Sequence, residues 1–155
     1  MITIEEIPGE RIDDFWEIHI KSLVEDGIID DPEDIEYFSG DEYRSIIKEH
    51  MLRETDKHHM VYFTTDNTRI GAAQYNTYQS EDGKCFILDF WVFPEYRGNG
   101  TGHKCFDALM EYTKADGASY YEINSTKEDS IRFWKSLGFT ENGMDEYDMP
   151  LFIKR

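Results

Sequence analysis

The protein has 155 residues, a net charge of −17 and aromatic side chains at 15% of its positions. That length predicts one domain with a sizeable core, and the aromatic content argues against a disordered chain. The apolar runs are shorter than the roughly 20 residues of a membrane helix, and the N-terminus lacks the features of a signal peptide.

Acidic residues are concentrated at the front of the sequence, where residues 1–56 contain 18 acids and 5 bases. Such a surface repels nucleic acid and anionic membranes, so we expect neither as a partner. Two interpretations stay open. The acids form either a solvated face that keeps the protein soluble or a funnel for a cationic acceptor such as a polyamine or another amine.

The first half is predicted to begin with a strand at 2–7 that stops at Pro8-Gly9. Apolar residues then recur at helical spacing over roughly 10–25, which indicates an amphipathic helix. Residues 28–40 are acidic and contain a proline, so we expect a loop there. A second helix is predicted from about Asp41.

Three strands are predicted next, at 60–64, 70–78 and 85–93, and they form a meander. An amphipathic helix at 104–114 follows. It leads to a strand at 120–124 that should lie parallel to the strand at 85–93, because such crossovers are right-handed and join parallel strands.

The end of the sequence predicts a helix from about Ile131 to Leu137, capped by Gly138. A closing hairpin should follow, with strands at 139–141 and 147–153 and its turn at Asn142-Gly143. Linkers, repeats and low-complexity segments are missing, so residues 1–155 are expected to form a single domain.

The two cysteines, Cys85 and Cys105, have no neighbouring cysteine or histidine at the spacing of a metal site. We expect both to be reduced structural residues of a cytoplasmic protein. The pair His58-His59 lacks a third ligand at zinc spacing, so no metal site is predicted.

Three alternating glycines, Gly98, Gly100 and Gly102, lie between an apolar strand and a helix. Glycine permits a positive φ and lets a bulky anion approach the backbone amides. The start of a helix also offers unpaired N–H groups and the positive end of the dipole. The stretch is therefore predicted to hold a pyrophosphate group.

Two nucleotide-binding motifs fail in this loop. A Walker loop needs Gly-Lys-Ser/Thr, but His103 separates Gly102 from Lys104. The dinucleotide fingerprint needs a third glycine where His103 stands. The pattern Arg97-x-x-Gly100-x-Gly102 after an apolar strand instead resembles the coenzyme A loop of the GCN5-related N-acetyltransferase (GNAT) family.

A second segment strengthens this resemblance. Residues 130–139 contain an aromatic helix followed by Leu137-Gly138-Phe139, which is similar to the second signature of that family and lies at the expected distance. The order of predicted elements also matches over the whole sequence. The resemblance implies an α/β fold with a mixed sheet of about seven strands flanked by four helices, and an acetyl-CoA-dependent N-acetyltransferase activity.

The resemblance also implies which residues contact the cofactor. The amides from Arg97 to Gly102, with His103 next, would hold the pyrophosphate, and the backbone of 91–93 would pair with the pantetheine arm as an added strand. Phe133 and Trp134 either flank the pantetheine and thioester or belong to the core. The implied cofactor positions are Trp91, Val92, Phe93, Arg97, Gly98, Asn99, Gly100, Thr101, Gly102, His103, Asn124, Phe133 and Trp134.

The implied reaction is the attack of a neutral amine on the thioester, with strand amides near Val92 stabilising the oxyanion and a base taking a proton. Asp89 is the candidate base, because it interrupts an apolar strand; we expect it on the same face as Ile87 and Trp91. The family often has a glutamate in this strand, but Leu88 precedes Asp89. Asp89 as base, as substrate anchor or as structural residue all remain open.

Two positions depart from the family pattern. Trp134 stands where the family often has a tyrosine that protonates the leaving thiolate, and an indole cannot serve as that acid. Either Tyr147 supplies the proton, or the thiolate leaves unaided, which a thiol pKa of about 8.5 permits. Lys127 stands where an asparagine is frequent.

We therefore expect transfer of an acetyl group to a primary amine, with a small cationic acceptor as partner. The alternatives are a non-catalytic domain that binds or senses coenzyme A, and a protein or peptide N-acetyltransferase. A homodimer is possible, although the sequence locates no interface.

Overall fold

The computed structural model describes residues 1–27 and 29–155, which form one seven-stranded mixed sheet with five α-helices. The strands are β1 (Thr3–Ile7), β2 (His58–Thr65), β3 (Thr68–Tyr78), β4 (Lys84–Val92), β5 (Tyr120–Asn124), β6 (Thr140–Met144) and β7 (Pro150–Lys154). The helices are α1 (Ile12–Glu25), α2 (Pro32–Ser39), α3 (Asp41–Met51), α4 (Thr101–Lys114) and α5 (Glu128–Ser136). None of the described helices is long and apolar enough to cross a membrane.

The sheet has the strand order β1-β2-β3-β4-β5-β7-β6. The first four strands are antiparallel neighbours, and the crossover through α4 makes β5 parallel to β4. The predicted α/β class, the seven strands and the parallel crossover are thus confirmed.

The predicted loop at 28–40 is wrong in most of its length, because Pro32–Ser39 is a helix and the sheet has five flanking helices instead of four. Ile28 lies outside the described residues. The Asp31 carboxylate accepts a hydrogen bond from the amide of Glu33 at 2.8 Å, which caps the helix start. Proline is favourable at the first helical position, so its presence marked the start of a helix.

The closing hairpin turns at 145–149 and not at Asn142-Gly143, which lie inside β6. The Asp145 carboxylate accepts hydrogen bonds from the amides of Tyr147 at 2.8 Å and Met149 at 2.9 Å. This side chain stabilises the turn, and the Asn-Gly pair instead falls where the β6–β7 register shifts.

A bulge in β4 contradicts part of the prediction that Ile87, Asp89 and Trp91 share one face of the sheet. Gln74 pairs with Asp89 and Tyr75 pairs with Ile87, so Leu88 is an extra residue in β4. The extra residue reverses the alternation of side chains. Ile87 therefore faces the core under α4, whereas Trp91 faces the opposite core, and the expectation that all three residues share a face is wrong for Ile87.

The sheet separates two apolar layers. One lies under α4 and α5 and contains both cysteines, and the other lies under α1 and α3 around Phe15 and Trp16. Cys85 and Cys105 are free and buried, and burial raises the pKa of each thiol to about 12. Both therefore remain protonated at neutral pH and act as small apolar residues, as the sequence predicts.

Phe106 should carry much of the stability of the layer under α4. Its ring is fully buried and contacts four other aromatic rings, those of Phe90, Tyr121, Trp134 and Phe139. Phe106→Ala should lower the free energy of unfolding in urea by about 3–5 kcal/mol. The adjacent exposed change Asp107→Ala is the control and should cost less than about 0.5 kcal/mol. Equal midpoints of urea unfolding for the two variants would contradict this role of Phe106 in stability.

Candidate active site

The site begins where two parallel strands separate. The pairing of β4 with β5 ends at Ile87 and Ile123, while β4 continues to Val92. Two cavities of about 550 and 190 Å³ open into the gap, and they share Phe90, Lys127 and Ser130 in their walls. This cleft places exposed backbone, the glycine loop and Asp89 beside one another.

The backbone of β4 offers hydrogen-bonding groups to the cleft. The amide of Phe93 donates to the carbonyl of Ile70 at 2.8 Å, so the peptide groups of Phe93, and by alternation those of Trp91, face β3. Those of Val92 consequently face the cleft, where the Arg97 Nε donates to the Val92 carbonyl at 2.7 Å. Val92 is therefore the position at which an extended amide-containing ligand can pair as an added strand.

The glycine loop forms an open backbone cradle. Gly98, Asn99 and Gly100 have φ values of +96°, +55° and +74°. A methyl group added at Gly98 or Gly100 would meet no atom within 4 Å, so the fold itself leaves this space free. The first hydrogen bond of the α4 backbone runs from the amide of Lys104 to the Gly100 carbonyl. The amides of Gly102 and His103 precede this bond, so among the described residues they have no helical partner. Such amides at a helix start bind anions.

Thr101 and His103 have local hydrogen-bond partners. The Thr101 hydroxyl donates to the Gly98 carbonyl at 2.8 Å and closes the loop onto the helix. The His103 Nε2 lies 2.9 Å from the Ser136 hydroxyl, so its side chain joins α4 to the end of α5. The backbone of His103 is thus the part that faces the cradle.

Phe133 and Trp134 occupy different environments. The Phe133 ring stacks on Phe90 at 5.7 Å and lines the larger cavity, and a Cβ at Gly102 would lie 2.7 Å from it. Trp134 is buried in the core under α5 and reaches the smaller cavity. Phe133 is therefore a half-buried wall of the cleft, whereas Trp134 is mainly a core residue.

Asp26 spans the mouth of the cleft. Its carboxylate accepts a hydrogen bond from Arg97 at 3.0 Å, and its carbonyl accepts one from the Lys127 ammonium at 3.1 Å. Two cationic side chains, Arg97 and Lys127, thus line the larger cavity together with the acids Asp26 and Asp129. Asp26 could not be found from the sequence, because no local pattern indicates that the end of α1 reaches the glycine loop.

Asp89 lies at the inner end of the cleft. Its Oδ2 accepts a hydrogen bond from the Gln74 amide at 2.8 Å and lies 3.7 Å from the His19 Nε2. The side chain is 25% exposed and lines the smaller cavity. Burial raises the pKa of Asp89 to about 6, although the hydrogen bond from Gln74 lowers it. A carboxyl group with that pKa is suited to accept a proton near neutral pH.

Of the two remaining predicted site residues, Asn124 lies in the cleft and Tyr147 lies outside it. Asn124 lines the smaller cavity, and its amide donates to Asp145 at 3.1 Å and to the Pro150 carbonyl at 3.2 Å. Tyr147 lies in the turn after β6 with 78% of its surface exposed. Among the described residues, those that line the two cavities do not include Tyr147.

Comparison with protein families places most of the sequence in one group. Residues 15–139 match the model of the acetyltransferase (GNAT) family. No curated protein sequence matches this one.

Several solved structures share the fold. The PaiA N-acetyltransferase of Thermoplasma acidophilum, crystallised with coenzyme A, has a TM-score of 0.74 at 18% identity, covering 100% of this chain and 99% of its own. YycN of Bacillus subtilis, described as a putative acetyltransferase, has a TM-score of 0.74 at 17% identity over 94% and 96% of the two chains. The aminoglycoside acetyltransferase meta-AAC0020 from an uncultured soil metagenomic sample, in complex with sisomicin, has a TM-score of 0.57 at 16% identity over 87% and 86%.

The glycine cradle can be tested with a matched pair of variants. Gly100 and Gly143 have the same φ of +74°, and an added methyl group at either meets no atom within 4 Å. Each change to alanine should cost about 1 kcal/mol of stability, since the left-handed conformation is strained. Only Gly100→Ala should also weaken the binding of coenzyme A, by about tenfold in Kd, because the added methyl group enters the anion cradle. Calorimetric titration measures this, and equal affinities for the two variants would contradict a phosphate site here.

Proposed function

Because the chain belongs to the GNAT family of acetyltransferases, which use acetyl-CoA, we propose that it acetylates a primary amine of a small cationic acceptor by direct attack on the thioester. The observation that carries this proposal is the Asp89 carboxylate, which lies where β4 and β5 separate and lines the smaller cavity, next to the larger cavity that Val92 lines. An acid at this position both attracts an ammonium group and accepts its proton.

The residues of the cleft fit the cofactor. Bound acetyl-CoA supplies an activated acetyl thioester. Amides between Gly98 and His103, apart from that of Thr101, which donates to the Gly98 carbonyl, would hold its pyrophosphate, because three positive φ values and the start of α4 leave an open cradle there. The Val92 amide, which faces the cleft, would donate to a carbonyl of the pantetheine arm, and the Phe133 ring would cover the arm. Arg97 and Lys127 would add positive charge at the mouth.

Asp89 is the proposed base. A lysine-like amine has a pKa of about 10.4, so the acceptor arrives mostly protonated. The Asp89 carboxylate, mostly ionised at pH 7 with a pKa of about 6, first binds this ammonium and then removes a proton from it. The Val92 amide faces the cleft, where it would donate to the negative charge that develops on the carbonyl oxygen.

The leaving thiolate needs no dedicated acid in this scheme. The Trp134 indole cannot protonate it, and Tyr147 would reach it only if the turn after β6 folded onto the cleft. Because a thiol pKa of about 8.5 makes the thiolate a stable leaving group, we propose that it departs unaided.

The acceptor is proposed to be cationic because of the aromatic rings and acids on the side of the sheet where Asp89 lies. Ring contacts at centroid distances of 5.4–5.5 Å run from the buried rings of His19 and Trp16 through Tyr43 to Tyr37, which is half exposed. Burial and then the charge of Asp89 raise the pKa of Tyr43, so this phenol lies within the field of the carboxylate. Aromatic faces beside acids bind ammonium groups, and α1, α2 and α3 carry much of the acidic front half.

We further propose that residues 1–155 act as one domain in the cytoplasm. A single sheet runs from β1 to β7, and both cysteines are free thiols, which a reducing compartment preserves.

A panel of acceptors tests the proposed activity. Wild-type protein should release coenzyme A thiol from acetyl-CoA with diamines and polyamines, and more slowly with neutral primary amines or peptides. Asp89→Asn should lower kcat about 100-fold or more, because the base is lost, while leaving the KM for acetyl-CoA within about twofold. The exposed acid of the glycine loop provides the control, since Glu95→Gln should leave kcat unchanged. If acetyl-CoA binds but no amine or peptide releases thiol, the protein is a coenzyme A sensor.

The pH dependence follows from the same carboxyl group. Since Asp89 must be ionised to accept a proton, kcat/KM should rise with pH through a midpoint near 6. The folded state holds this proton more tightly than the unfolded state, whose pKa is about 3.9, so Asp89 makes stability fall as pH rises from about 4 to 6. Asp89→Asn should remove both the acid limb and that part of the stability change, measured by urea unfolding at several pH values. An unchanged acid limb would exclude Asp89 as the base.

A further inference from the structure

Building on the proposed role of Asp89 as base, we propose that Gln74 is a positioning residue for its carboxylate and that His58 sets the orientation of the Gln74 amide. The side chains involved, called here the Gln74 network, run across the sheet face under α1 and α3. They are those of Asp89 on β4, Gln74 and Asn76 on β3, His58 on β2 and His19 on α1.

The register of the sheet brings Gln74 to Asp89. Gln74 pairs directly with Asp89 across β3 and β4, beside the bulge at Leu88. Its side chain is 3% exposed, and its Nε2 lies 2.8 Å from Asp89 Oδ2 and 2.9 Å from His19 Nε2. A buried amide held by two partners has one orientation, so it holds the carboxylate in one orientation as well.

His58 determines which end of that amide faces Asp89. Gln74 Oε1 lies 2.7 Å from His58 Nε2, and the amide oxygen can only accept. His58 must therefore carry its proton on Nε2. Burial lowers the pKa of His58 to about 4, so the ring holds a single proton at neutral pH. On the other side of the ring, Asn76 Oδ1 lies 3.2 Å from His58 Nδ1, so two amide oxygens face a ring with one proton, and the shorter contact, to Gln74, places that proton on Nε2.

This arrangement explains how an acid can stay ionised among apolar residues. Within the described residues, hydrogen bonds to the Asp89 carboxylate are made through Oδ2, which leaves Oδ1 for the acceptor amine. A hydrogen bond to the charged form favours that form. Without Gln74, the carboxylate would lose both its fixed orientation and this stabilisation.

The other titratable groups that face Asp89 are either neutral at pH 7 or bonded elsewhere. Burial lowers the pKa of His19, on α1, to about 4, so it is neutral at pH 7. The pKa of Tyr43, on α3, is raised by burial and by the charge of Asp89, so it is neutral too. Lys127, after β5, donates to the Asp26 carbonyl at the mouth of the cleft. Gln74 is thus the group whose loss should most affect the titration of Asp89.

The experiment follows Asp89 directly by 13C NMR of its carboxyl carbon in the full-length protein without substrate. Gln74→Leu should raise the titration midpoint by about one pH unit, because a hydrogen bond to a charged group is lost. The acid limb of kcat/KM should move by the same amount, and kcat should fall about tenfold while the KM for acetyl-CoA stays within about twofold. Met60→Leu, a buried change directly opposite Gln74 on β2, controls for packing and should leave the midpoint in place.

A second pair of variants keeps the proposal testable if Gln74→Leu does not fold. His58→Gln retains an N–H donor for Gln74 Oε1 and should keep the wild-type midpoint, whereas His58→Leu should shift it in the same direction as Gln74→Leu. Equal midpoints in His58→Gln and His58→Leu, or in Gln74→Leu and Met60→Leu, would overturn the proposal. Failure of the proposed function gives a different result, since then either no acceptor releases thiol with the wild-type protein or Asp89→Asn keeps full turnover, whatever the midpoints show.

Discussion

The cleft depends on one extra residue in β4. Leu88 has no counterpart on β3, and this bulge reverses the alternation of side chains in the second half of the strand. Asp89 is consequently on the face of α1 and α3 instead of the face of α4. The parallel pairing of β4 with β5 ends at Ile87, one residue before the bulge. The position of the acid at the inner end of the opening therefore follows from that single insertion.

Placing an ionisable acid in this position has a physical cost that the surrounding polar residues reduce. A carboxylate removed from water is destabilised unless hydrogen bonds replace the lost solvent. Here the Gln74 amide supplies such a bond, and the neutral rings of His19 and His58 hold that amide without adding charge. The buried polar side chains of β2 and β3 therefore support the site, although they lie beneath a layer that is otherwise apolar and aromatic.

The cofactor half and the acceptor half of the cleft are built in different ways. The proposed cofactor half would use backbone groups of the glycine loop and Val92. Many different side chains can keep the same backbone geometry, which fits the likeness to solved acetyltransferase structures at less than 20% identity. The proposed acceptor half would instead use side chains of α1, α2 and α3, which carry acids and aromatic rings. In this proposal backbone geometry holds the cofactor, while side chains select the acceptor.

The sequence by itself determined the class of fold, the parallel crossover, the glycine loop and Asp89 as the notable acid. Those features depend on local patterns: the periods of strands and helices, the freedom of glycine and a charge within an apolar run. Only the tertiary structure decided the face on which Asp89 lies, the helix at Pro32–Ser39, the turn after β6 and the contacts of Gln74 and Asp26. A bulge is set by how two strands pair, and a bridge such as Asp26 to Arg97 joins residues far apart in sequence. Neither leaves a periodic signal, because contacts between distant segments have no fixed spacing along the chain.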